Sequence, residues 1–303
     1  MIKKVLLLLL CVSLSFAVNA QKKNKKAKEP KATHTDVSYG QFDRNKIDFW
    51  QAEGEGPRPV YIHIHGGGWV VGDKNRFKGA QKFLDKGISV AAINYRLTAT
   101  DPLPAPVLDA ARAVQFLRYK AKDWNIDKNK FVLSGGSAGA CTSMWIACHD
   151  DLAKPNSKDP VERESSRVQG ISVAGGQSSI DPKQIEPWIG PNVYHEMIYK
   201  AVGEKNIEDA LKNYDQHKAL YKEYSPYNHL TKDDPPMLLS YGGDMSLPSK
   251  SLGHGIHHGM FGLKMKEKSD KLGHNKIYLS IGKNRSQEFP NRDDFVYKIL
   301  LGK

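Results

Sequence analysis

Phe131-Val132-Leu133-Ser134-Gly135-Gly136-Ser137-Ala138-Gly139 is the stretch on which the reading of this chain turns. Phe131 to Ser134 has the apolar character of a buried strand, and an apolar helix is expected to follow from Ala138. Between them stands Gly-x-Ser-x-Gly, with Ser137 at its centre. A serine on a sharp strand-to-helix turn sits in strained backbone, and neighbours without side chains let such a turn close. The helix that follows aims its partial positive end at the serine, favouring negative charge there. Ser137 is therefore the candidate nucleophile, and the backbone N–H of Ala138 a candidate donor to a developing oxyanion.

Some seventy residues earlier, at the end of another expected strand, stands His65-Gly66-Gly67-Gly68-Trp69. Glycines there let backbone N–H groups approach a substrate oxygen closely, so Gly67 and Gly68 join Ala138 as candidate oxyanion donors. Either motif alone reads as a glycine-rich loop. Both together, at the ends of two successive sheet strands and in this order, carry far more information.

On these two motifs the chain resembles the α/β-hydrolase fold, and within it the esterases and lipases that carry a His-Gly-Gly-Gly motif. Asn94-Tyr95-Arg96-Leu97 after a strand, Asp109-Ala110-Ala111-Arg112-Ala113 opening a helix, and Asp123-Trp124-Asn125-Ile126-Asp127 ahead of the nucleophile strand extend the resemblance over residues 57 to 245. The resemblance implies a serine carboxylic-ester hydrolase acting through an acyl-enzyme on Ser137, with no cofactor and no metal. It implies a small-molecule or carbohydrate ester as substrate, and leaves ester against amide preference and oligomeric state open.

The family's acid follows the next-to-last strand, and Pro235 to Pro248 supplies a strand, a turn and Asp244 there. Its histidine follows the last strand, where this chain departs from the pattern: Gly282-Lys283-Asn284-Arg285-Ser286-Gln287-Glu288 comes after Ile281, with no histidine there or beyond. The histidines after Asp244 are His254, His257, His258 and His274, and His274 precedes the last strand. That leaves Gly253-His254-Gly255-Ile256-His257-His258-Gly259, with His258 put forward as the base, His257 close behind and His254 third. A rival reading follows from the same departure: a ligand- or glycan-binding protein that kept the elbow and pocket but lost the base.

Working outward, short apolar runs recur at Val60–Ile64, Ile88–Asn94, Val168–Ala174, Met237–Tyr241 and Ile277–Ile281, each suited to a strand buried on both faces. Amphipathic runs lie between them, among them Asp109–Ala121 and Phe261–Leu272, the latter stopping at Gly273. Such alternation predicts a mostly parallel sheet with helices on both faces. Residues 181–227 break it with Trp188, Tyr194, Tyr199, Tyr214, Tyr221 and Tyr224 among many charges. They read as a helical excursion over the strand C-terminal ends, whose aromatics either line a pocket or pack the excursion onto the sheet.

The flanks and composition complete the picture. Residues 1–20 combine Lys3 and Lys4, an apolar run to Val18 and the small-residue end Val18-Asn19-Ala20, the pattern of a cleavable export signal, so a periplasmic or secreted protein is expected. Residues 21–36 read as a basic, disordered tether that could make weak contact with an anionic surface, and 37–303 as a single domain. The formal charge of +12 falls to +5 for residues 32 to 303 once the leader and tether charges are set aside. The basic excess is thus no nucleic-acid footprint. Cys141 and Cys148, seven apart on one helix, would be separated by roughly 10.5 Å, too far for a disulfide. No Cys/His spacing reads as a zinc site.

Overall fold

The computed structural model describes residues 29–302. The expected export signal, and the tether up to residue 28, lie outside the described residues.

The centre is an eight-stranded sheet built from β1 (His34–Ser38), β2 (Lys46–Trp50), β3 (Arg58–Ile64), β4 (Ser89–Ile93), β5 (Ile126–Gly136), β6 (Gly170–Ala174), β7 (Met237–Tyr241) and β8 (Ile277–Ile281). Their spatial order is β1-β2-β4-β3-β5-β6-β7-β8. The pairs β1/β2 and β2/β4 are antiparallel and every other pair is parallel. The chain runs from β3 out to β4, then crosses back to β5 on the other side of β3. Strand order reverses there, and the crevice beyond the C-terminal ends of β3 and β5 is where open α/β sheets hold ligands.

The helices are α1 (Gln81–Leu84), α2 (Ala105–Tyr119), α3 (Ala138–Cys148), α4 (Pro182–Ile189), α5 (Glu196–Lys200), α6 (Ile207–Lys212), α7 (Tyr214–Glu223), α8 (Pro226–His229), α9 (Leu252–Ile256), α10 (Met260–Leu272) and α11 (Arg292–Leu301). Side-chain alternation along the strands sorts the core into two layers. Ile62, Ile64, Leu133 and Val173 face a cluster with Val114 of α2 and Met144 of α3. Tyr61, Val90 and Val132 face Phe83 of α1 with Val296 and Leu300 of α11. Both faces are therefore covered, as the apolar runs required.

Three expectations need adjusting. The tether was extended to residue 36, yet residues 29–36 are built onto the domain. Trp50 Nε1 donates to the Pro30 carbonyl at 2.9 Å, His34 stacks on Trp124 with ring centroids 4.6 Å apart, and β1 starts at His34. Edge pairing and hydrogen bonds anchor a segment too polar to be held by burial. Helix α2 starts four residues earlier than Asp109, because Pro104 and Pro106 are tolerated in a first turn whose N–H groups have no intrahelical partner anyway. Strand β5 starts earlier than Phe131, its Ile126 pairing with Arg58.

The excursion is α4 to α8, and its aromatics mostly pack. Tyr221 and Tyr224 are buried, Trp188 meets Tyr227 edge to face, and Tyr194 donates to Glu186. Cys141 and Cys148 are free, buried thiols, pushed up by burial.

Candidate active site

Ser137 joins β5 to α3 at φ 53° and ψ −123°, a left-handed conformation that costs a non-glycine residue about 1–3 kcal/mol. Two hydrogen bonds hold it: its N–H donates to the Ala174 carbonyl at 2.9 Å, and its carbonyl accepts from Cys141 N at 2.9 Å. The flanking glycines are required by backbone approach. A Cβ at Gly139 would lie 2.1 Å from the Ile64 oxygen, and one at Gly135 would lie 2.6 Å from the Gly139 carbonyl carbon. The turn therefore closes against the end of β3 with no room for a side chain at either position.

The glycine loop after β3 abuts this turn. A Cβ at Gly66 would be 2.6 Å from the Gly136 oxygen and 3.4 Å from the Ser137 Cβ. Gly67 and Gly68 take positive φ, and Gly67 accepts from Val70 and Val71, which curls the loop. Among the described residues the N–H groups of Gly67, Gly68 and Ala138 donate to no protein oxygen. His65 underpins the loop: its Nδ1 lies 2.8 Å from the Gly66 oxygen, its ring stacks on Tyr95 at 4.2 Å, and Tyr95 donates to the His65 carbonyl. Burial drives the His65 pKa down to about 4, so it is a neutral strut. The further motif residues brace the same corner, with Asp109 accepting from the Arg96 backbone and from its guanidinium in bidentate fashion.

The histidine at the nucleophile is His257. Its Nε2 lies 2.9 Å from Ser137 Oγ, and its Nδ1 lies 2.9 Å from the Gly253 carbonyl oxygen. A carbonyl only accepts, so Nδ1 carries the proton and Nε2 presents a lone pair to the serine hydroxyl. Gly175, at φ 57°, gives the ring its space: a Cβ there would stand 3.3 Å from His257 Cδ2.

His258 does not take that place. It is buried, and its Nδ1 accepts from Met260 N at 3.1 Å at the start of α10. Burial, and then the neighbouring His254, lower its pKa. His254 also turns elsewhere, its Nε2 donating to the Asp244 backbone carbonyl and its Nδ1 accepting from Lys250 N. Consecutive residues leaving a short helix point different ways, which spacing alone could not resolve between 257 and 258.

Asp244 lies after β7 as expected, but its carboxylate is not brought to His257. It is exposed and accepts from Lys250 Nζ at 2.8 Å and from the Ser246 hydroxyl and amide. Those donors hold its pKa well below the usual carboxylate range. The third member of the Ser137–His257 arrangement is thus a main-chain carbonyl, that of Gly253. His274 is buried between Ser269 and the Asp234 carbonyl and plays a packing role.

One site neighbour carried no signal in the sequence. His195, capping the start of α5, has its ring 3.7 Å from where a Gly68 Cβ would stand. Its Nδ1 accepts from Met197 N at 3.1 Å, which leaves Nε2–H as a donor beside the glycine loop, and burial lowers its pKa. A lone histidine among the charges of residues 181–227 gives no spacing by which to single it out.

A family model described as BD-FAE matches residues 48–251, about two thirds of the chain. The probable carboxylic ester hydrolase LipM of Mycobacterium tuberculosis is 26% identical over 220 residues, covering 70% of this chain and 48% of that one. The versiconal hemiacetal acetate esterase of Dothistroma septosporum is 33% identical over 122 residues, covering 39% and 37%. The chain spans about half the length, or less, of these curated relatives. Among solved structures, a truncated carbohydrate esterase from gut microbiota superposes with a TM-score of 0.70 at 20% identity, covering 89% of this chain and 99% of that one. An acetyl ester-xyloside bifunctional hydrolase from Caldicellulosiruptor lactoaceticus does so with a TM-score of 0.61 at 25% identity, covering 78% and 76%. The chain has the α/β-hydrolase fold and belongs to the BD-FAE family.

Proposed function

We propose that this chain is an exported serine carboxylic-ester hydrolase working through an acyl-enzyme on Ser137, with His257 as the base. The observation that carries the reading is the 2.9 Å contact from His257 Nε2 to Ser137 Oγ with Nδ1 committed to the Gly253 carbonyl. That is the tautomer and distance a general base needs.

In the first step Ser137 Oγ attacks the ester carbonyl carbon while its proton passes to His257 Nε2. The oxygen that gains charge is taken up by the N–H groups of Gly67, Gly68 and Ala138, which have no competing protein acceptor among the described residues. As the tetrahedral species collapses, His257 returns the proton to the departing alcohol. Water then repeats the sequence on the acyl-serine and the acid leaves. The Gly253 carbonyl keeps the imidazole oriented throughout. A neutral dipole stabilises the transient imidazolium less than a carboxylate would, so the site is a serine–histidine dyad with a backbone orienter.

The rival reading, a binding protein without a base, rests on the missing histidine after Ile281; the contact of His257 with Ser137 favours the hydrolase instead. Carbohydrate esters fit as substrates: the two structural neighbours carry the names of a carbohydrate esterase and an acetyl ester-xyloside hydrolase. The export pattern of residues 1–20 suits a polysaccharide-derived substrate met outside the cytoplasm. A fluorophosphonate probe followed by peptide mass spectrometry tests the reading. Ser137 is expected to be labelled in folded protein, much more slowly in His257→Ala, and not at all after heat unfolding. A folded wild-type protein left unlabelled would overturn it.

A further inference from the structure

Among the described residues, one cluster of metal-ligating side chains lies outside the serine site: His149, Glu223 and His229, each offering a ligand atom within 4.8 Å of the others. His149 stands at the C-terminal end of α3, the helix that Ser137 begins, while Glu223 closes α7 and His229 closes α8. Sequence spacing could not suggest the group, because its members meet only when the excursion folds back onto α3.

The hydrogen bonds of His149 point to a cation. His149 Nδ1 lies 2.9 Å from the Asp150 carbonyl oxygen, so Nδ1 carries the proton and a neutral ring has its lone pair on Nε2. That Nε2 faces Glu223 Oε1 at 3.1 Å, an acceptor against an acceptor, with His229 Nε2 3.8 Å from Oε2. An imidazole whose far N–H is fixed on a carbonyl oxygen is the usual arrangement of a metal-ligating histidine. The ring is fixed further by Trp145, which stacks on it at 4.2 Å and donates Nε1–H to the Glu223 carbonyl at 2.8 Å. The side chains of His149, Glu223 and His229 are 21%, 41% and 22% exposed, leaving room for water to complete a coordination shell.

We propose that His149, Glu223 and His229 form a divalent transition-metal site, taking Zn²⁺ in preference to Ca²⁺ or Mg²⁺. Two imidazoles and one carboxylate are a donor set that suits zinc, whereas calcium and magnesium favour oxygen alone. Binding draws His229 away from the Glu223 carbonyl, to which its Nε2–H now donates; the ring proton moves to Nδ1, Nε2 becomes the ligand, and the three side chains close around the ion. The metal then clamps the end of the nucleophile helix to α7 and α8. This inference is independent of the esterase reading.

The test is calorimetric titration of EDTA-treated protein with ZnCl₂, repeated on His149→Ala, His229→Ala and Glu223→Gln, with Ser137→Ala/His257→Ala as a control for zinc held in the serine site. One saturable zinc per chain is expected in wild type and in the control, with affinity down at least about 100-fold in each cluster variant and a rise in wild-type Tm on zinc addition. No saturable binding, or binding unchanged in the cluster variants, would overturn the proposal and leave an ordinary His–Glu ion pair. Should the variants fail to fold, X-ray absorption at the zinc edge of the wild-type complex decides. Imidazole nitrogen at about 2.0 Å supports the site, and a shell without imidazole overturns it.

Discussion

A histidine works as a base only when the nitrogen facing the nucleophile has a lone pair, and its other nitrogen decides this. At His257 the Gly253 carbonyl imposes the useful tautomer; at His258 the amide of Met260 occupies Nδ1 and burial does the rest. His258→Ala should therefore cost stability more than chemistry, about 1–3 kcal/mol in urea denaturation from a half-buried amide left without its acceptor and from the lost packing of a buried ring. The same logic gives a pH dependence. Burial lowers both His63 and His65 to about 4, while the unfolded chain takes up those protons near 6.5. Between those values the unfolded state binds more protons, so stability is complete above about pH 6.5 and is lost as pH falls towards 4. Each histidine accounts for about 3 kcal/mol at most. Tm measured from pH 7.5 to 4.5 should fall across this window, and a flat profile down to pH 4.5 would contradict the assignment.

At the scale of elements, the strands buried on both faces were legible because a buried parallel strand must be apolar at every position, and Val60–Ile64, Met237–Tyr241 and Ile277–Ile281 matched the observed bounds closely. The antiparallel edge was not, since β1 is largely polar, has no buried position and pairs on one side only. The elbow was legible down to its glycines, because the requirement there is steric and local. Gly139→Ala puts a methyl 2.1 Å from a backbone oxygen of β3, which cannot move without breaking the sheet. We expect a loss of upward of about 3 kcal/mol, read as a collapse in soluble yield or Tm, whereas Gly253→Ala, with open space around its Cβ position, should lower Tm little. The histidine that meets Ser137 was legible only to a loop. A side chain's direction on leaving a five-residue helix depends on contacts from β6 and α10 that no local spacing records.

Across the whole molecule, the edge that the sequence hid is fastened by charge. Lys74, fully buried after β3, bridges Asp48 of β2 at 2.9 Å and Asp36 of β1 at 2.7 Å. Removing the cation by Lys74→Met leaves the buried Asp48 carboxylate without a counter-charge, holding only the Asp36 amide, and a loss of about 3–5 kcal/mol is expected in chemical denaturation. Lys74→Met together with Asp48→Leu should recover much of it. The site sits at the middle of the sheet, assembled from loops after β3, β5 and β6 and from the segment after β7, at the point where strand order reverses. That is why the fold and the elbow serine could be read from two motifs, while the histidine that meets the serine and the carbonyl that orients it could not. The measurement that tests the central claim most directly is hydrolysis of p-nitrophenyl acetate by wild type, Ser137→Ala, His257→Ala, His258→Ala and Asp244→Asn at pH 7.5. A dyad oriented by Gly253 predicts kcat/KM down by at least about 10³-fold in Ser137→Ala and His257→Ala, and within about 10-fold of wild type in the other two. Activity that survives His257→Ala, or that falls as far in Asp244→Asn, would contradict it.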